Sequence, residues 1–305
     1  MRPRTTRYGV VLATALLTTV VLAAPASAAV PPVTHRTVFA TEGGTLYRLA
    51  LSSTGAVTAR TPVAHGAGAV ASDYDGRRLV FVRPGAADWT DDQVWVREPS
   101  GAGRFLATGR LGTFTPGRTG VAVARFVLAG RNPASMDPEH DELTVVRLSD
   151  GHVVPLSPHH DGDFDGSMRY SRDGRTLWML TQSVGESGLW LQGYDLATDT
   201  VTRSYGLPAL STCTDVEMLP SGANALLTCG PRLLTVRLAD GKVTHHTPLP
   251  RGTTATTLDG RLNSRTLLLS MSSGSRRFLG ALDVDTMRVR TLPGSAGYTD
   301  AVTAY

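Results

Sequence analysis

From Thr37 onward the apolar residues come in short runs, each set off by Gly, Asp, Asn, Ser or Pro. The clearest run is Leu177-Trp178-Met179-Leu180, entered through Ser171-Arg172-Asp173-Gly174-Arg175-Thr176. A tight Asp-Gly turn followed by a continuous apolar run predicts a strand buried on both faces. Variants recur at Asp75-Gly76-Arg77-Arg78-Leu79, Pro116-Gly117-Arg118-Thr119, Ser221-Gly222-Ala223-Asn224-Ala225 and Asn263-Ser264-Arg265-Thr266-Leu267. The spacing between copies is 41 to 57 residues, in or near the range of four-stranded propeller repeats. A second turn follows in each unit, at Thr54-Gly55, Asp150-Gly151, Thr198-Asp199, Asp240-Gly241 and Asp285-Thr286. Gly and Asp supply the positive φ values that tight hairpins need. Two hairpin turns joined by one loop make four antiparallel strands per unit.

The first unit has strands at 37–40, 45–51 and 57–61 but no inner strand of its own. Asp300-Ala301-Val302-Thr303-Ala304-Tyr305 supplies it from the other end of the chain, which closes a ring and covers the edges an open sheet would expose. The expected fold is all-β: a six-bladed β-propeller of four-stranded antiparallel blades. The blades are 298–305 with 37–64, then 65–109, 110–158, 159–208, 209–250 and 251–297. The Ser-x-Asp-Gly-Arg-x-Leu pattern at Ser171–Leu177, with looser relatives at 73–79 and 219–225, resembles the repeats of TolB-like six-bladed β-propellers. The resemblance covers nearly all of 37–305. It implies the fold and says little of function, because propellers host binding modules, hydrolases, lyases and structural proteins alike.

The N-terminus reads differently. Arg2, Arg4 and Arg7 precede an apolar stretch, about 10–24, and an Ala26-Ser27-Ala28 cleavage site. This is the pattern of a secretory signal peptide, 1–28, rather than a membrane anchor. Residues 29–36 read as a flexible, Pro-rich leader. Cleavage also changes the charge. The chain has 30 Lys+Arg and 26 Asp+Glu, and losing the three signal arginines leaves 27 against 26. A near-neutral protein with scattered Arg has no nucleic-acid footprint. Secretion places Cys213 and Cys229 in an oxidising compartment. The Ser221 turn lies midway between them, so a hairpin sets them face to face and predicts a disulfide.

Three acidic segments fall on loops of one face. Blade 2 carries Trp89, Asp91 and Asp92, and blade 3 carries Asp137, Glu139 and Asp141. Between blades 3 and 4, Asp161, Asp163 and Asp165 alternate before Gly166. Alternating carboxylates ahead of Gly match the start of an EF-hand-like calcium loop, but Arg169 and Arg172 stand where later ligands belong. The segment reads either as a solvated turn or as a weak Ca2+ site, and calcium is the one cofactor suggested. Closer to the axis, alignment on the turn glycine sets Ala69, Arg110, Ser167, Asp215 and Thr257 at one level, with Asp300 added from the last strand. One Arg facing two Asp is a structural ion-pair cluster or an anchor for a polar ligand. Gly185-Glu186-Ser187-Gly188-Leu189 lacks the last Gly of a nucleophile elbow and sits in a hairpin, so no hydrolase triad is expected. The sequence thus favours a secreted module that binds a protein, peptide or glycan on its acidic loop face, over a metal-dependent propeller hydrolase or lyase.

Overall fold

The computed structural model describes residues 32–64, 69–85, 91–127, 140–156, 162–163, 167–183, 188–207 and 213–303. Every regular element among them is a strand, and they form six antiparallel sheets. Blade 1 runs β25 (Thr299–Thr303), β1 (Thr37–Glu42), β2 (Thr45–Leu51), β3 (Val57–Ala64) from its inner to its outer strand. Blade 2 holds β4 (Val70–Tyr74), β5 (Leu79–Arg83), β6 (Gln93–Arg97) and β7 (Gly103–Thr108). Blade 3 holds β8 (Leu111–Phe114), β9 (Gly120–Val127), β10 (His140–Arg147) and β11 (Val153–Pro155). In blade 4 the inner position is shared by β12 (Gly162–Asp163) and β13 (Met168–Tyr170), both paired with β14 (Thr176–Ser183); β15 (Leu189–Asp195) and β16 (Thr200–Leu207) follow. Blade 5 is β17 (Cys213–Met218), β18 (Asn224–Cys229), β19 (Arg232–Arg237) and β20 (Val243–Pro248). Blade 6 is β21 (Thr254–Asn263), β22 (Thr266–Ser273), β23 (Arg276–Asp283) and β24 (Arg288–Thr291).

The repeated turn has a simple cause. Asp75 Oδ1 accepts the N–H groups of Arg77 and Arg78, and Asp173 Oδ1 accepts that of Arg175. Ser221 Oγ and Asn263 Oδ1 accept the equivalent N–H of Ala223 and Arg265. A short side chain that accepts from the backbone two residues on is what the position requires, so Asp, Ser and Asn interchange. Blade 3 has Pro116 there, and Thr115 Oγ1 takes the Gly120 N–H instead. Gly174 has φ +72, and a Cβ on it would lie 2.6 Å from Pro116, so the blade 4 turn packs against the blade 3 turn only as glycine.

The core lies in the seams. Leu180, Leu191 and Trp178 of blade 4 pack with Val216, Leu227 and Leu234 of blade 5. Val80, Val94 and Val96 of blade 2 pack with Phe114, Val121 and Val123 of blade 3. Each remaining pair of neighbours has its own cluster. Each blade is therefore covered on both faces, which is why its middle strands read as unbroken apolar runs rather than alternating ones. Outer strands show the contrast: His245 and His246 in β20 are exposed.

The ring closes where expected. β25 pairs with β1, Val302 opposite Phe39 and Thr303 opposite Val38. Gly260 (φ +90) in β21 lets this strand approach, because a Cβ there would meet the Thr303 carbonyl at 2.4 Å. One expectation is corrected beside it. The stretch read as a flexible leader is tied down from Pro32 on: Val33 N donates to Ser53 O, Thr34 N and His35 N donate to Leu262 O, and Asn263 Nδ2 donates to Pro32 O. Val33 is 1% exposed and fills the blade 6–blade 1 seam beside Leu292 and Gly55. Pro-rich composition hid this, since the segment docks without joining a ladder.

Cys213 and Cys229 are bonded and stand opposite each other in the β17–β18 register. The bond fits an oxidising compartment. Reduction should lower stability by about 3 kcal/mol, the loop-entropy estimate for a closure of this size, read as a drop in the urea midpoint with dithiothreitol. Removal of 299–305 should leave β1, buried at Val38 through Thr41, as an open edge. We expect aggregation or a melting temperature lowered by about 10 °C or more. An unchanged melt would mean that β25 contributes nothing to closure.

Candidate functional site at the channel mouth

Five inner strands or their leading residues deliver one group each to a cavity of about 340 Å3 on the propeller axis: Arg110, Ser167, Asp215, Thr257 and Asp300. They come from blades 3, 4, 5, 6 and 1, as the alignment on the turn glycine set them. Ala69, the sixth member of that level, is buried and offers its carbonyl to Thr41 Oγ1.

The three charged members differ in what they can do. Asp215 is 1% exposed. Its Oδ1 accepts from Ser167 Oγ and Val216 N, and its Oδ2 from Leu258 N at 2.5 Å. The carboxylate thus ties blades 4, 5 and 6 together, with both of its oxygens engaged by the protein. Burial pushes its pKa up to about 6, against the pull of Arg169 and the backbone donors. Asp300 sits at φ +48 where β25 shifts register against β1. Asp tolerates this left-handed conformation better than most residues. Burial raises its pKa too, opposed by Arg277 and the Thr299 hydroxyl. Arg110 precedes β8 on the same wall as Asp92, whose Oδ1 accepts the Gly85 N–H at 3.0 Å. The Thr257 hydroxyl is buried and has no hydrogen-bond partner among the described residues.

Below this level the channel holds a pair that sequence reasoning missed. Arg169 Nε lies 3.4 Å from Glu217 Oε2, and both side chains are buried. Arg169 also donates from Nη1 to the Met168 carbonyl. Extending the same alignment by two residues, one strand repeat, would have set Arg169 and Glu217 at one level facing the axis.

The acidic rim is only partly placed. Asp91 is exposed and Asp92 reaches the cavity wall. Trp89, Asp137, Glu139, Asp161 and Asp165 lie outside the described residues, as do the side chains of Asp141 and Asp163. Gly162 and Asp163 pair with Ser183 and Gln182, so the backbone at these two positions is a strand rather than a free turn. Among the described residues no group of three or more His, Cys, Asp or Glu is set to hold a metal ion. No helix long and apolar enough to cross a membrane occurs among the described residues.

Asp215 gives a sign-specific test. With a folded pKa near 6 and an unfolded value near 3.8, the native state binds more protons between these limits. This group's contribution to stability is therefore greatest at low pH and falls as pH rises through about 4 to 6. Asp215→Asn should cost about 1–3 kcal/mol, because its amide cannot accept from both Val216 N and Leu258 N. The gap in melting temperature between wild type and variant should narrow from pH 4 to pH 7. A gap that widens would show the carboxylate to be held as an anion.

No protein-family model and no curated protein matches this chain. Solved structures do. TolB from Acinetobacter baumannii superposes with a TM-score of 0.66 at 13% identity, over 90% of this chain and 67% of that one. A putative TolB from Agrobacterium tumefaciens gives 0.59 at 9% identity, over 88% and 98%. The periplasmic gluconolactonase of Pseudomonas aeruginosa gives 0.55 at 16% identity, over 84% and 81%. With six four-stranded blades in a ring and a last strand that closes the first blade, the chain adopts the fold of the TolB-like six-bladed β-propellers.

Proposed function

We propose that this protein is a secreted binding module, released by cleavage after Ala28, whose ligand docks at the Arg110–Asp300 channel mouth. Fold alone does not choose between binding and catalysis, since one fold neighbour is named as a gluconolactonase. The observation that carries the reading is the cavity itself. Arg110 and Asp300 approach it from blades 3 and 1. A cation and an anion at one mouth suit a small group that bears both charges, such as a peptide terminus or an amino sugar. The acidic segments of blades 2 to 4, expected from the sequence on loops of one face, would extend that surface toward a protein, peptide or glycan partner. Calcium on Asp161, Asp163 and Asp165 would offset their mutual repulsion.

A thermal-shift panel of free amino acids, dipeptides and glucosamine, with and without calcium, tests the reading. At least one zwitterionic or amino-sugar member should raise the melting temperature. Calorimetry should then show its affinity reduced about tenfold or more in Asp300→Asn and in Arg110→Gln, the loss of one charged contact. No stabilisation by any member, or equal affinity in both variants, would overturn it.

A further inference from the structure

Between blades 1 and 2 the seam opens into a groove of about 460 Å3. The strand register decides what it presents. Across blade 1, Phe39, Arg48 and Thr61 stand opposite one another on β1, β2 and β3. Cross-strand partners share a face. Phe39 packs into the cluster that blade 1 shares with blade 2, so Arg48 is directed at blade 2 as well. Across blade 2 the corresponding row is Tyr74, Leu79 and Arg97 on β4, β5 and β6. Tyr74 and Leu79 belong to the same cluster, so Arg97 is directed back at blade 1.

Three guanidiniums converge in this groove. Arg97 spans it: its Nη1 donates to Val63 O of β3 at 2.9 Å. The fork is also held from the other side, because a Cβ on Gly101 (φ +91) would lie 3.4 Å from Arg97 Nη2. Val63 is two residues along β3 from Thr61, the residue opposite Arg48. That is about 7 Å of strand, within reach of the long Arg48 side chain. Arg77 enters from the repeat turn, next to Gly76, whose carbonyl accepts from the Tyr74 hydroxyl at 2.9 Å. Burial and Asp75 raise the Tyr74 pKa, and Arg48 opposes them, so the Arg48 charge lies within electrostatic range of that same hydroxyl.

These charges are not neutralised by the protein. Arg48 and Arg77 are exposed, and neither they nor Arg97 form an ion pair among the described residues. Asp75, the carboxylate of the adjacent turn, is paired with Arg78 at 2.8 Å. Glu98 is the one carboxylate lining the groove, against three guanidiniums. One carbonyl occupies a single donor of the Arg97 fork and leaves the rest available. Pro62, Pro99 and the Tyr74 ring supply apolar surface beside the charges.

We propose that this groove binds a phosphate monoester of a small ring. The Arg48, Arg77 and Arg97 guanidiniums surround the phosphate, whose two charges and three terminal oxygens match several forks better than a planar carboxylate does. Pro62, Pro99 and Tyr74 flank the ring. The volume is at the small end of ligand pockets, which suits one phosphate and one ring.

The test is calorimetric titration of the mature protein at low salt with phenyl phosphate, benzoate and phenol. The expected result is saturable binding of phenyl phosphate, at least tenfold tighter than benzoate, which has one charge, and than phenol, which has none. Arg48→Gln and Arg77→Gln should each weaken it about tenfold. Glu98→Gln, which removes the opposing charge, should strengthen it severalfold. Arg232→Gln, an equal loss of charge in blade 5, should leave it unchanged. Arg48, Arg77 and Arg232 are exposed, and unchanged melting temperatures verify that their variants fold. Failure of phenyl phosphate to bind, benzoate binding as tightly, affinity unaltered in both groove arginine variants, an equal loss in Arg232→Gln or a weaker affinity in Glu98→Gln would overturn the proposal. The groove shares no residue with the Arg110–Asp300 mouth, so the two readings fail separately.

Discussion

The inner strand of every blade has one edge with no strand beside it. Its backbone groups still need partners, because buried N–H and C=O groups are rarely left unmet. In this ring the partners are short polar side chains of the preceding blade. Thr41 takes the Ala69 carbonyl, Ser72 bonds both polar groups of Gly112, Ser167 takes Val216 N, Asp215 takes Leu258 N, and Ser270 takes Ala301 N. Each bond crosses a seam. The apolar clusters supply most of the energy of association between blades but are not directional. The side-chain latches fix the height of one blade against the next, and so decide which residues share a level on the axis.

That division explains what could be read from the sequence. The repeat turn is local: a side chain at Asp75, Asp173, Ser221 or Asn263 bonds to the backbone two residues on, and the pattern survives exchange among these residue types. The apolar runs follow from burial on both faces. With turn and strand fixed, one alignment brought Arg110, Asp215 and Asp300 to a common cavity. What the alignment could not show is which charge is spent inside the protein. Asp215 and Asp300 look alike in sequence, yet Asp215 is held by three donors from three blades and Asp300 is not. Docking of Pro32 to Arg36 was hidden for a related reason. It depends on Ser53 and Leu262, which are far away in the chain, and on no periodic pattern.

The Arg169–Glu217 pair gives the channel two ends. Above it, Asp92, Asp215 and Asp300 share a cavity with Arg110; below it, Arg118, Arg172 and Arg261 line a second cavity. Removing either partner of a buried pair leaves a lone charge in a poorly solvated place, a cost of about 3–5 kcal/mol, so the pair resists being opened. It is also neutral as a unit. Arg169 lines both cavities, so the pair stands at their common boundary.

Asp300 joins the two themes. It belongs to β25, the strand that closes the ring, and its left-handed backbone lies where that strand shifts register against β1. A non-glycine residue in this conformation carries strain of about 1–3 kcal/mol, maintained only when its surroundings over-determine it. Here they do: Ala301 N is bonded to Ser270 Oγ on one side, and Val302 and Thr303 are paired to β1 on the other. The carboxylate is thereby aimed at the axis by the same contacts that close the ring. Any ligand that bonds Asp300 binds only the closed ring, and mass action then stabilises the closed state by RT ln(1 + [L]/Kd). A ligand on Asp300 would thus couple occupancy of the mouth to integrity of the ring, because a single strand supplies both.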